Sequence, residues 1–160
     1  MKKISVIFLA ALIIFAACES KRGFDSNSSF ISNQIDPDVQ YIRVGSGFGP
    51  RHPSYIIISS INELNQHTNN LSSNSFWETE YSNIISKYSD SYFADNFIVI
   101  VTLEEPSGSN RHKVERINSN GDIIIKQLIP EIGTADMATW NIIIELNNSF
   151  IRDQFQVVLE

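Results

Sequence analysis

The chain has 160 residues, 42% of them hydrophobic and 19% charged, with a formal charge of −6. That length suits one ordinary domain and excludes a multidomain enzyme or a polytopic membrane protein. The acidic balance is the reverse of what a nucleic-acid surface needs, and a single cysteine excludes an internal disulfide and a thiolate zinc cluster.

The N-terminus carries the sharpest signal. Lys2 and Lys3 precede an apolar run over residues 4–17 that only Ser5 interrupts. At 1.5 Å per residue such a helix reaches about 21 Å, short of the roughly 30 Å of a bilayer core. Length and flanks instead fit the apolar region of a secretory signal, residues 1–17. The run ends Phe15-Ala16-Ala17-Cys18, so cleavage would place the lone cysteine first. This resembles a bacterial lipobox, which implies diacylglycerol on the Cys18 sulfur, removal of the signal, and acylation of the freed amine. Two or more acyl chains give stable anchoring, at about 0.8 kcal/mol per buried methylene. The expected location is the cell envelope, outside the cytoplasm. The plainer readings are an ordinary secreted protein cut after Ala17, or a small buried cysteine. Cleavage removes two lysines and no acid, so −6 becomes −8. An acidic body should stand off an anionic membrane, held by its tether.

Residues 18–38 are polar, rich in Ser and Asn, and show no apolar period, which predicts a flexible tether. One domain over residues 39–160 follows. Residues 39–44 (VQYIRV) alternate and predict a strand. Gly45, Gly47 and Gly49 invite a phosphate-loop reading, but Pro50 and Pro53 follow and no helix opens behind them, so a turn is expected. Residues 54–59 (SYIIIS) predict a buried strand. Ser60 and Glu63 have capping-box spacing, so a short helix starts there and runs to Asn65. Residues 67–75 read as loop. Trp77, Tyr81, Ile84, Ile85 and Tyr88 fall on one helical face, which predicts a core-packed helix.

The remainder is strand-rich. Residues 96–103 (NFIVIVTL) are apolar on both parities, the mark of a central strand covered on both faces. Strands are also expected over 112–117, 122–129, 140–146 and 155–159, with a hairpin at Asn120-Gly121. Residues 104–110 read as a turn, 130–139 as a loop, and 147–153 as a turn or single helical turn. The fold class is therefore α+β, mainly an antiparallel sheet, curled or sandwich-like, with one helix packed early in the domain.

No constellation of residues points to a reaction. His52, His67 and His112 lie 15 and 45 residues apart, so no zinc spacing exists. Each reads as a solvated or satisfied histidine. Asp36 and Asp38 flank Pro37, but the further oxygens of a calcium loop are missing. Glu104 and Glu105 would point to opposite faces of a strand and read as a solvated strand end. No metal, no cofactor and no nucleic-acid partner is expected, and the chain is not expected to be an enzyme.

Three stretches carry a family resemblance: YIIISSINEL (55–64), YSDSYFADNFIVIVTLEEPSGSNRHKVERI (88–117), and LIPEIGTADMATWNIIIEL (128–146) after the Asn-Gly hairpin. In order, they offer a Ser-x-x-Glu-Leu opening, an apolar strand entering a Pro-Ser-Gly turn, and a late apolar strand. The chain thereby resembles the PrcB C-terminal domain family, over about residues 54–160. The resemblance implies a non-catalytic binding module that stabilises or assists an extracytoplasmic protease. Recognition would fall on exposed turns. The candidates are Pro106, Ser107, Gly108 and Ser109 in one, and Gly133, Thr134 and Asp136 in another, with residues 45–53 as an outside choice. Alternatives are a sandwich-type protease inhibitor, favoured by loops clustered at one end, and a small-ligand binder of the envelope.

Overall fold

The computed structural model describes residues 37–45, 52–71 and 78–160, with side chains left out at 71 and 78–80. The expected signal over 1–17, Cys18, the expected tether up to residue 36, Trp77, Arg51 and most of the glycine loop lie outside the described residues. In chain order the elements are β1 (Asp38–Gly45), β2 (Ser54–Ile58), α1 (Ile61–Leu71), α2 (Glu78–Ile85), α3 (Asp90–Phe93), β3 (Asn96–Glu105), β4 (Arg111–Ile117), β5 (Asp122–Leu128), β6 (Ala138–Asn147), a 3₁₀ turn (Asn148–Phe150) and β7 (Gln156–Leu159).

Two open sheets result. One has the order β1-β6-β3-β2 and is antiparallel throughout, and the other has the order β4-β5-β7. The class is α+β and mostly β, as the strand pattern predicts. β3 holds the centre because its two parities serve two cores. Phe97, Val99, Val101 and Leu103 join Trp140, Ile142, Ile144 and Leu146 of β6 against Ile117, Ile123 and Ile125 of the smaller sheet. Ile98 and Ile100 face the opposite way, with Ile143, Leu64, Tyr81, Tyr88 and Phe93. The layers therefore run helices, large sheet, small sheet.

Three expectations need correction. Among the described residues there are three helices, one more than the two helical segments expected, and α1 runs on to Leu71 through residues read as loop. Its start is the predicted one: Ser60 Oγ accepts from the Glu63 amide at 3.2 Å, and the Glu63 carboxylate accepts from the Ser59 amide at 2.7 Å. Leu64, fully buried, and Ile61, packed against the same core, anchor one face of a helix that is otherwise mostly polar. Tyr88 reaches the core from beyond the end of α2. Finally, β5 and β7 pair in parallel, because the chain visits the other sheet as β6 before returning. The Asn-Gly hairpin is present, with Gly121 at φ 97°, where a side chain would be strained.

Tyrosines from the edge strands of the large sheet stitch both seams. Tyr41 Oη of β1 accepts from the Val114 amide of β4 at 2.8 Å, where β4 carries a bulge. Tyr55 Oη of β2 accepts from the Phe155 amide, just before β7, at 3.0 Å. Each bond satisfies an edge amide that would otherwise face solvent or another chain. Among the described residues no helix is long and apolar enough to cross a membrane.

Candidate functional site

β3 ends in register with the start of β6, Glu105 opposite Ala138. That pairing brings the turn after β3 against the loop before β6, so the two stretches singled out in the sequence meet. Ser107 Oγ lies 2.8 Å from Ser109 Oγ and 3.2 Å from Thr134 Oγ1, and both serine oxygens accept from the Thr134 amide, at 3.0 and 3.1 Å. The Gly108 amide donates to the Asp136 carbonyl at 2.7 Å. Arg43, from β1, closes the arrangement by donating to the Asp136 carboxylate at 2.6 Å. The Thr134 hydroxyl and the Arg43 guanidinium together lower the Asp136 carboxyl to about 2. Gly133 packs against Ser107, whose Oγ would lie 3.1 Å from an added Cβ. Pro106 is exposed at the start of the turn.

The ends of the Asp136 and Arg43 side chains stand close against position 108. A Cβ there would collide with Asp136 Oδ2 and stand 2.6 Å from Arg43 Nη1. Gly108→Ala is expected to part Arg43 from Asp136 and loosen both loops. Hydrogen exchange at the 108 and 134 amides should quicken while β3 stays protected. Unchanged protection at both amides would refute the clasp.

Beneath the clasp lies a buried polar network. Glu105 is 1% exposed, not the solvated strand end expected of it. It shares the parity of Val101 and Leu103 and so points between the sheets. Its carboxylate accepts from His112 Nε2 at 2.7 Å, Gln127 Nε2 at 2.7 Å and Asn110 Nδ2 at 2.8 Å. Burial raises its pKa, but the three donors outweigh that and hold it below the usual value. His112 is accordingly a core histidine on β4, satisfied at Nε2 by Glu105, while its buried Nδ1 has no hydrogen-bond partner among the described residues. The Trp140 ring meets it edge-on at 5.6 Å.

No family model, curated protein or solved structure matches this chain. The chemistry of the site therefore has to be read from its geometry. Ser107 and Ser109 bond to each other and to Thr134, while His112 Nε2 is committed to Glu105. No hydrogen bond joins that histidine to either serine, so no serine–histidine relay is assembled. Among the described residues no group of three potential metal ligands occurs. His52 is exposed, and His67 lies on α1, where burial lowers its pKa. On the helix side, Tyr88 Oη donates to Glu145, which also pairs with Lys87. Burial and the Glu145 charge push that phenol well above its usual range, so it stays protonated.

Sequence reasoning missed what the clasp displays. Leu128, the last residue of β5, and Ile129, Ile132 and Met137 of the loop that follows are all exposed, Ile129 at 70% and Ile132 at 88%. The expected strand over 122–129 includes Ile129, but β5 stops at Leu128 and leaves it exposed beside Pro130. Ile132, in the stretch read as loop, was the more legible sign of an apolar side chain with nothing to bury it. Arg43 and Trp140 were missed for a different reason, since their partners are remote in the chain, and Glu105 because a charged side chain reads as surface.

Proposed function

We propose that this protein is a lipoprotein of the cell envelope, moored outside the cytoplasm through acylated Cys18, whose folded body binds another protein and performs no reaction of its own. The observation that carries the binding half is the end of β5 with the β5–β6 loop, which present Leu128, Ile129, Ile132 and Met137 to solvent. Exposed apolar side chains gathered within ten residues of one another in the chain favour a partner surface. The loop is also held at its base by Thr134, Asp136 and Arg43, so less ordering entropy is lost on binding. The mooring half rests on the apolar run of residues 4–17 and the Phe15-Ala16-Ala17-Cys18 ending. The resemblance to the PrcB C-terminal domain family favours an extracytoplasmic protease as the partner, stabilised and not cleaved. The meeting of two loops at one end of the sandwich also suits an inhibitor. Peptidase assays with the purified partner separate the two roles.

The test uses the full chain in its native membrane, with a photo-crosslinking residue replacing Ile132. One recurrent partner is expected, absent when the same residue replaces exposed Lys113 on the outer face of β4. Identical products from both positions would overturn the binding reading. Cys18→Ser is expected to release the chain from the membrane fraction, and a variant that sediments and matures like the parent would overturn the mooring.

A further inference from the structure

An open hollow of about 520 Å³ lies beside the clasp, lined by Ser109, Arg111, Gln127, Leu128, Ile129 and Pro130. Its lining is divided. Leu128, Ile129 and Pro130 form an apolar wall, and Arg111 supplies a charge.

Arg111 is held in position before anything binds. Its Nη1 donates to the carbonyls of Gly108 and Asn110, both at 2.9 Å. The guanidinium carbon stands 5.1 Å from the centre of the Trp140 ring. One nitrogen is thus engaged by carbonyls and one face by an indole. Arg43 pairs with Asp136, Lys87 with Glu145, and Arg116 with Glu115 and Glu160. Arg111 pairs with no carboxylate among the described residues, although the chain is acidic overall. A planar cation fixed beside an apolar wall complements an oxyanion carried next to apolar groups, and in an unmodified polypeptide that oxyanion is an Asp or Glu carboxylate.

We infer that this hollow receives a polypeptide segment of the partner, with an Asp or Glu carboxylate on the Arg111 guanidinium and adjacent apolar side chains against Leu128, Ile129 and Pro130. The inference rests on the protein-binding reading above and names the chemistry of the partner. It gives the clasp a role as well, since the Gly108 carbonyl that pins Arg111 belongs to the turn that Asp136 and Thr134 hold in place.

The probes are three labelled peptides, Gly-Val-Leu-Asp-Val-Gly and its counterparts with Asn or Lys in place of Asp, titrated against the full chain in nanodiscs. Fluorescence anisotropy is expected to show the Asp peptide binding about tenfold more tightly than the Asn peptide, and the Lys peptide more weakly than both. Arg111→Gln should abolish the preference and leave equal, weak binding. Arg111→Lys, which keeps the charge without the fork, should retain part of it and guards against misfolding of the first variant. Equal binding of all three peptides by the parent, an Asp preference that survives Arg111→Gln, or no binding of any peptide would each overturn the inference. The Ile132 crosslink would survive those failures if only the partner's chemistry is wrong, and would vanish if the binding reading is wrong. A Cys18→Ser chain held on phosphatidylcholine–phosphatidylglycerol vesicles through Ile129, and released by Ile129→Asp, would assign the surface to lipid and also overturn it.

Discussion

Glu105→Ala is expected to lower the unfolding free energy by about 3–5 kcal/mol, because it leaves buried partners without their charge. Three donors converge on this carboxylate, from His112, Gln127 and Asn110, and alanine takes the acceptor from all of them, two of which, His112 and Asn110, are buried. Glu105→Gln should cost less, about 1–3 kcal/mol, since one amide oxygen survives but its NH₂ then faces a donor. The loss also depends on pH. The folded carboxyl sits below the ordinary glutamate value of 4.5, so its contribution is fully present above that value. It is lost as pH falls through the lower, folded value. Parent and Glu105→Ala should therefore differ most near neutrality and converge in acid. Urea unfolding across that range reads both effects. A gap that stays constant into acid would show that the carboxylate charge carries none of the stabilisation. In a double-mutant cycle with His112→Ala, the combined loss should fall short of the sum, since both substitutions break the same 2.7 Å bond.

The strands were legible wherever hydropathy reports burial directly. β3 announced its central place by being apolar on both parities, and the structure covers it on both sides. The hairpin at Gly121 was legible because a tight turn requires positive φ. Glu105 was not legible. Its side chain is charged, so it scores as surface, and the groups that make burial tolerable lie five, seven and twenty-two residues away. The same limit applied to the parallel pairing. Short turns predict antiparallel neighbours only while the chain stays in one sheet, and β6 leaves the sheet that β5 and β7 share. The two candidate turns were visible as turns, but their contact was not, because it arises from the β3–β6 register and from Arg43, ninety-three residues from Asp136. In the helices, the polar run of residues 67–70 misled for an energetic reason. Anchoring one face by tertiary packing outweighs the modest helix propensity of Asn and Thr.

Trp140→Ala is expected to remove about 3–5 kcal/mol of stability and, with it, the carboxylate preference proposed for Arg111. The indole is 7% exposed and belongs to the core between the sheets. It also abuts the His112 ring and carries the Arg111 guanidinium. A destabilised variant alone would not separate packing from positioning, so Trp140→Phe is the sharper comparison. Phenylalanine keeps most of the buried area and removes an indole N–H that no described residue accepts, so part of the packing loss is recovered. It offers a weaker face to the cation. Trp140→Phe should therefore fold with native cooperativity while the Asp-over-Asn peptide preference falls about two- to fivefold. If the preference stays whole in this variant, the carbonyls of Gly108 and Asn110 alone fix Arg111. Gly108→Ala would then weaken binding more than any change at Trp140. If the preference drops while the melting transition holds, the indole acts as a platform that orients the cation, and its role in the core is separable from its role at the hollow.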